Sequence, residues 1–189
     1  MEQTELALIN TMLIQIGESP VNEIDLTHPD IRAAQRIIDD LNTEIQSKVW
    51  WYNTETWELV PQLNGDVFIP GAATGILNTK SAYWVKRGRK LYDLERHSFD
   101  FSDEETITLD IITAWSIPEL PPTVYVYLQQ VCRKRMQVGF DFDGNKVIDL
   151  TEDIKVAYHN VQVQDLKFNA PNATSQAVAR QVIQNFPTR

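Results

Sequence analysis

Ile31, Ala34, Ile38, Leu41, Ile45 and Val49 recur at three- and four-residue spacing, while Arg32, Arg36, Asp39, Asp40 and Glu44 take the other faces. That period belongs to an α-helix that buries one side. Pro29 suits its first turn, where the missing N–H has no helical partner, and Asp30 favours the positive end of the dipole. The stripe predicts a helix of about 20 residues, roughly 30 Å long.

Other segments share the helical period. Leu6, Ile9, Leu13 and Ile16, with Met12 beside them, predict a first helix over Glu2–Ile16. Gly17 caps it and Pro20 prevents its resumption. A third helix is expected from near Pro122 to about Gly139. A fourth is expected over Thr151–Phe168, capped by Thr151, with Ile154, Tyr158, Val161 and Asp165 along one side. Asn169–Ser175 is polar and carries Pro171, so it reads as a linker. Gln176–Phe186 reads as a last short helix or an arm that orders on contact.

The middle third breaks this pattern. Pro61, Gly65, Pro70, Gly71, Gly75 and Gly88 punctuate it, and short strands are expected over Thr56–Val60, Asp66–Ile69, Ala82–Lys86 and Lys90–Leu94. Tyr83–Tyr92 reads as a hairpin turning at Arg87-Gly88. In Thr106–Thr113, Ile107, Leu109 and Ile111 alternate with Thr106, Thr108 and Asp110, as in a half-buried strand. The fold class is therefore α+β: about four helices with an antiparallel sheet inserted between the second and third. The division is a helical domain of 1–52 and 118–189 with a C-terminal arm, and an inserted domain of 53–117. Trp50, Trp51, Tyr52 and Trp57 fall at the start of the insert, with Trp50 and Trp57 expected to pack where helices meet sheet.

Composition narrows the chemistry. The 189 residues carry a formal charge of -9, whereas tight phosphate binding needs clustered Lys and Arg. An acidic balance serves to keep a protein soluble, and a surface that repels phosphate can also let DNA slide past without sticking. The single cysteine, Cys132, excludes an intrachain disulfide and a Cys-based zinc cluster, and the three histidines lack zinc-site spacing. No signal-peptide pattern or long apolar run is visible, so synthesis in a cytosol without membrane crossing is expected.

Two constellations stand out. Lys86, Arg87, Arg89 and Lys90 concentrate positive charge on the hairpin, which fits contact with an acidic partner or DNA as well as a solvated tip. Asp141–Glu152 places oxygen side chains at positions one, three, five, nine and twelve of a loop, like the calcium loop of an EF-hand. It departs at the sixth position, where Lys146 stands in place of the required glycine, and no metal site or other cofactor is expected. No nucleophile motif or phosphate-binding glycine loop is present. A calcium-binding helix-loop-helix module and a carbohydrate-cleaving component remain the alternative readings.

Several segments, in order, resemble the tail tubular protein A family of short-tailed phages, the adaptor or gatekeeper ring. They are Ile16-Gly-Glu-Ser-Pro-Val21, then Ala34-Gln-Arg-Ile-Ile38 with Ile45-Gln-Ser-Lys-Val-Trp50. Val85-Lys-Arg-Gly88 with Leu91-Tyr-Asp93, and Ile107-Thr-Leu-Asp-Ile-Ile112, follow. The resemblance covers about residues 5 to 140 and is carried by the order and spacing of the segments. It implies a non-enzymatic virion protein of the tail, assembled as a dodecameric ring. Its implied partners are the portal protein above and the nozzle protein (tail tubular protein B type) below. Genomic DNA would pass through the channel without sequence-specific binding. The expected contact residues are Lys86, Arg87, Arg89 and Lys90 on the hairpin, and Val178, Val182, Ile183 and Phe186 on the C-terminal arm, expected to dock on the portal.

Overall fold

The structure is a computed structural model that describes residues 4–77, 81–140 and 143–169. The chain divides into two compact units, one of Met1–Ile45 with Ser116–Arg189 and one of Gln46–Trp115.

The first unit is helical. Helix α1 spans Glu5–Gln15; Thr4 caps it, its Oγ1 accepting a hydrogen bond from the Ala7 N–H at 3.1 Å. At the other end the Gly17 N–H reaches the Ile14 carbonyl and the Glu18 N–H the Leu13 carbonyl, a Schellman pair that needs the positive φ of 89° held by Gly17. Leu8, Ile9, Met12 and Leu13 are buried, and Leu6 and Ile16 lie half-buried beside them. Helix α2 spans Pro29–Gln46, and Ile31, Ala34, Ile38, Leu41 and Ile45 are buried as their spacing requires. The helix stops at Gln46, so Val49 falls outside the stripe and is 48% exposed.

Helix α3 spans Pro122–Phe140 and packs against both α1 and α4. Its face on α1 is partly polar. Gln129 donates to the Thr11 hydroxyl at 3.1 Å, Arg133 donates twice to Gln15 Oε1 (3.0 and 2.8 Å), and Gln15 donates to the fully buried Gln137 at 2.8 Å. These bonds fix the register of α1 on α3, because sliding either helix would leave buried polar groups unpaired.

Helix α4 spans Gly144–Asn169 and starts seven residues before the expected Thr151. The cap is Asp143: its Oδ1 accepts from the Asn145 N–H at 3.0 Å and its carbonyl from the Val147 N–H. Thr151 lies inside the helix, its hydroxyl bonded back to the Val147 carbonyl at 2.6 Å. Leu150, Ala157 and the expected Val161 are buried, while Ile154, Tyr158 and Asp165 lie half-buried.

Among the described residues the second unit holds five strands: β1 (Thr54–Leu59), β2 (Ala73–Leu77), β3 (Trp84–Arg87), β4 (Lys90–Asp93) and β5 (Ile107–Thr113). Strand β5 lies between β1 and β2, antiparallel to both, and β3–β4 form a separate hairpin. The alternation seen in β5 has its expected result, since Ile107, Leu109 and Ile111 are fully buried. They join Val67, Ile69, Trp84, Leu91 and Phe101 in one core, with Trp84 edge-on to Phe101 at 5.5 Å. The expected strand Asp66–Ile69 is reduced to a single bridge, Phe68 opposite Lys90, with the Ile69 N–H on the Arg89 carbonyl and the Leu91 N–H on the Val67 carbonyl. Strand β2 is absent from the sequence reading: Gly75 and an irregularity in register between Ala73 and Gly75 erase its alternation.

A polar knot closes the ends of this unit. Asn53, fully buried, donates to the carbonyls of Gln46 (2.9 Å) and Lys48 (3.1 Å) and accepts from the Trp50 N–H at 2.9 Å. Gln46, also fully buried, makes a reciprocal pair with the backbone of Trp115, both bonds at 2.8 Å.

Candidate assembly surfaces

The β3–β4 hairpin turns through Gly88 and Arg89, with Arg87 opposite Lys90. Gly88 has a φ of 62°, the positive value that a type II′ turn requires at its first central residue. The turn places all four expected cations close together, but they divide into two kinds.

Lys90 and Arg87 are committed to their own unit. Lys90 Nζ lies 2.6 Å from Asp66 Oδ2, and 5.4 and 5.8 Å from the ring centres of Phe68 and Phe99. The ammonium donating into Asp66 holds that carboxyl below the usual range, against the opposing effect of burial. The Arg87 guanidinium lies 3.7 Å over the ring of Tyr92, which meets Phe99 edge-on at 4.7 Å. Together these groups tie the hairpin to residues 66–68 and 99. Lys86 is half-buried and Arg89 is exposed at the turn. Among the described residues, no carboxylate lies within ion-pair distance of either. The aromatics around Lys90 escape sequence reading because Phe68 and Phe99 are brought to it only by tertiary folding.

Behind the hairpin, Asp93 organises the next turn. Its Oδ1 accepts from the N–H groups of Glu95 and Arg96, at 2.8 and 3.1 Å. Burial raises its pKa, but these bonds and the nearby Arg96 outweigh that and leave it lowered.

A second surface appears at β1. Among the described residues this strand is an edge, paired on one side only, and from Glu55 to Glu58 it is exposed on both faces. Trp57 is 40% exposed, its indole N–H 3.2 Å from Glu55 Oε2, so it does not share the buried position expected for it with Trp50, which is 6% exposed. The difference is positional: Trp50 precedes the buried Asn53 knot, whereas Trp57 stands on the outermost strand. Val60 and Leu63 extend this exposed apolar edge.

The remaining expected sites resolve differently. Residues 144–152 are helical, which spreads Asn145, Asp149 and Glu152 along α4 where a calcium loop would curl its ligands around one point. That is not the geometry which the helix-loop-helix calcium alternative requires of these residues; Asp141 lies outside the described residues. Cys132 is fully buried, and burial pushes its thiol up to about 12, so it is a poor nucleophile at neutral pH. Val178, Val182, Ile183 and Phe186 lie outside the described residues. Among the described residues, no helix is long and apolar enough to cross a membrane.

No curated protein matches the chain. A family model described as Tail tubular protein matches residues 6–137, from α1 through the β unit and nearly all of α3. That match spans well over half of the 189 residues. The chain therefore belongs to the tail tubular protein family, as a structural component of a phage tail.

Proposed function

We propose that this protein is the adaptor ring of a short-tailed phage, joining the portal to the tail nozzle and letting the genome pass through its bore. The observation that carries the reading is the family match over residues 6–137, which covers the whole β unit and part of the helical one. Two further features support it. The net charge of -9 keeps a channel wall from holding DNA phosphates. The β unit exposes two chemically different surfaces, as a ring built by one repeated heterologous contact requires. The role is mechanical, consistent with a structural family, and ranks ahead of a carbohydrate-cleaving activity.

In this reading the ring has about twelve copies, as the resemblance implies, closed by one repeated heterologous contact. In this reading the hairpin cations contact a neighbouring subunit or the nozzle, and the segment with Val178, Val182, Ile183 and Phe186 contacts the portal. Native mass measurement of the protein alone and with the phage's portal tests the assignment. A dodecameric mass on the portal is expected. A chain that stays monomeric with the portal present refutes it. Truncation of Asn172–Arg189 is expected to abolish portal binding while the melting temperature is kept.

A further inference from the structure

The β unit carries a basic surface and an acidic edge that do not meet within one copy. Strand β1 bears Glu55 and Glu58 on its two opposite faces, with Trp57 between them. Its outer side has no backbone partner among the described residues. An edge open on both faces and carrying a tryptophan is an unfinished surface, because backbone donors and apolar area both lack cover. Strand β2, at the other edge of this sheet, is the strand that contacts β3 of the hairpin. The basic tip and the acidic edge are therefore separated by the sheet itself. Among the described residues, neither Glu55 nor Glu58, and neither Lys86 nor Arg89, has an ion pair.

We propose that these two surfaces are the halves of one contact between successive copies of this chain: Lys86 and Arg89 of one hairpin seat against Glu55, Trp57 and Glu58 on the β1 edge of the next. Charge complementarity selects the occupant. In a chain of charge -9, unpaired cations at the hairpin attract an acidic surface, and a second copy presents one in the same unit. The division of labour among the four cations fits as well. Arg87 and Lys90 stiffen the hairpin through Tyr92 and Asp66, so Lys86 and Arg89 are offered on a preorganised scaffold. A guanidinium approaching β1 also gains from the exposed Trp57 ring. Because the two faces differ, the contact is heterologous and propagates head to tail, which closes into a ring when the rotation permits. The inference rests on the ring reading above and specifies its β-unit interface.

Two reversed proteins test it, K86E/R89E and E55K/E58K. Each alone meets its own copies with like charges on both faces. Each is expected to remain folded by fluorescence and circular dichroism, and to lose ring assembly at low salt, with self-association weakened about tenfold or more. Mixed in equal amounts, the two complement each other at every contact, and an alternating ring of wild-type mass is expected. The neutral pair K86Q/R89Q is expected to weaken assembly less, in the same direction, with the difference from wild type shrinking as salt rises. Rings of wild-type mass and strength from each reversed protein alone would overturn this contact while leaving the ring intact. So would failure of the mixture to assemble beside a wild-type control that does. Loss of nozzle or DNA binding with self-association unchanged would reassign the hairpin to that partner. A wild-type chain that never assembles, even on the portal, removes the ring reading itself.

Discussion

Asn53 is the residue whose replacement tests the fold argument most directly. Its amide makes three bonds to backbone: two donations, to the Gln46 and Lys48 carbonyls, and one acceptance, from the Trp50 N–H. Asn53→Ala removes all three side-chain bonds, two of them at buried positions and the one to the Lys48 carbonyl part-buried. A buried group left unsatisfied costs about 1–3 kcal/mol, and relaxation lets some of the three find solvent. The expected loss is therefore roughly 2–4 kcal/mol. Asn53→Asp keeps the acceptor but aims a carboxylate at two carbonyl oxygens. Its folded pKa is then raised, so its stability deficit is smaller at low pH, where the acid is neutral, and grows as pH rises through that pKa. The five tryptophans, at 50, 51, 57, 84 and 115, all lie in the Gln46–Trp115 unit. Intrinsic fluorescence in a urea titration thus reports this unit, while far-UV circular dichroism is dominated by α1 to α4. A fluorescence transition for Asn53→Ala within about 0.5 kcal/mol of wild type would refute the assigned role of these bonds.

Three other outcomes are expected. Trp50→Ala destabilises the same transition by about 3–5 kcal/mol, whereas Trp57→Ala, on the exposed edge, changes it by less than about 1 kcal/mol; equal effects in urea melts would contradict the burial difference. Gly65→Ala costs about 1–3 kcal/mol, since Gly65 has a φ of 78° and a Cβ there would lie 1.9 Å from Asp100 Oδ1; an unchanged melting temperature argues against that close approach. Asp66 and Asp93 have folded pKa values below the ordinary 3.8, so the stability they contribute is present above that value and is lost as pH falls through the folded pKa. Fluorescence-detected unfolding should therefore be acid-sensitive below about pH 3.8, and less so in Asp66→Asn; identical acid profiles would remove Asp66 from the account.

The helices that announce themselves by period are α1 and α2, while α3 is marked by Pro122 at its start. Their stripes and caps are local, set by residues within a turn or two of one another, and Gly17 and Pro29 mark ends that need no tertiary information. The same holds for β5, whose strict alternation follows from one face being buried, and for the hairpin, whose glycine sits where the turn needs it. The start of α4 was not legible: Asp143-Gly144-Asn145 has loop composition, and only the bonds from Asp143 to the following N–H groups make it a cap. Strand β2 was hidden by its glycine and its irregular register, which make sense only against β5. At the candidate surfaces, the sequence clustered four cations without distinguishing them. The distinction comes from Asp66 and Tyr92, one of them 24 residues from Lys90 along the chain, and contacts of that separation are set by how the core packs. Trp50 and Trp57 make the same point. Two tryptophans seven residues apart have similar local context, yet one is buried and the other stands on an open edge, because burial depends on which strands lie alongside, and that is settled by long-range pairing rather than by any local preference.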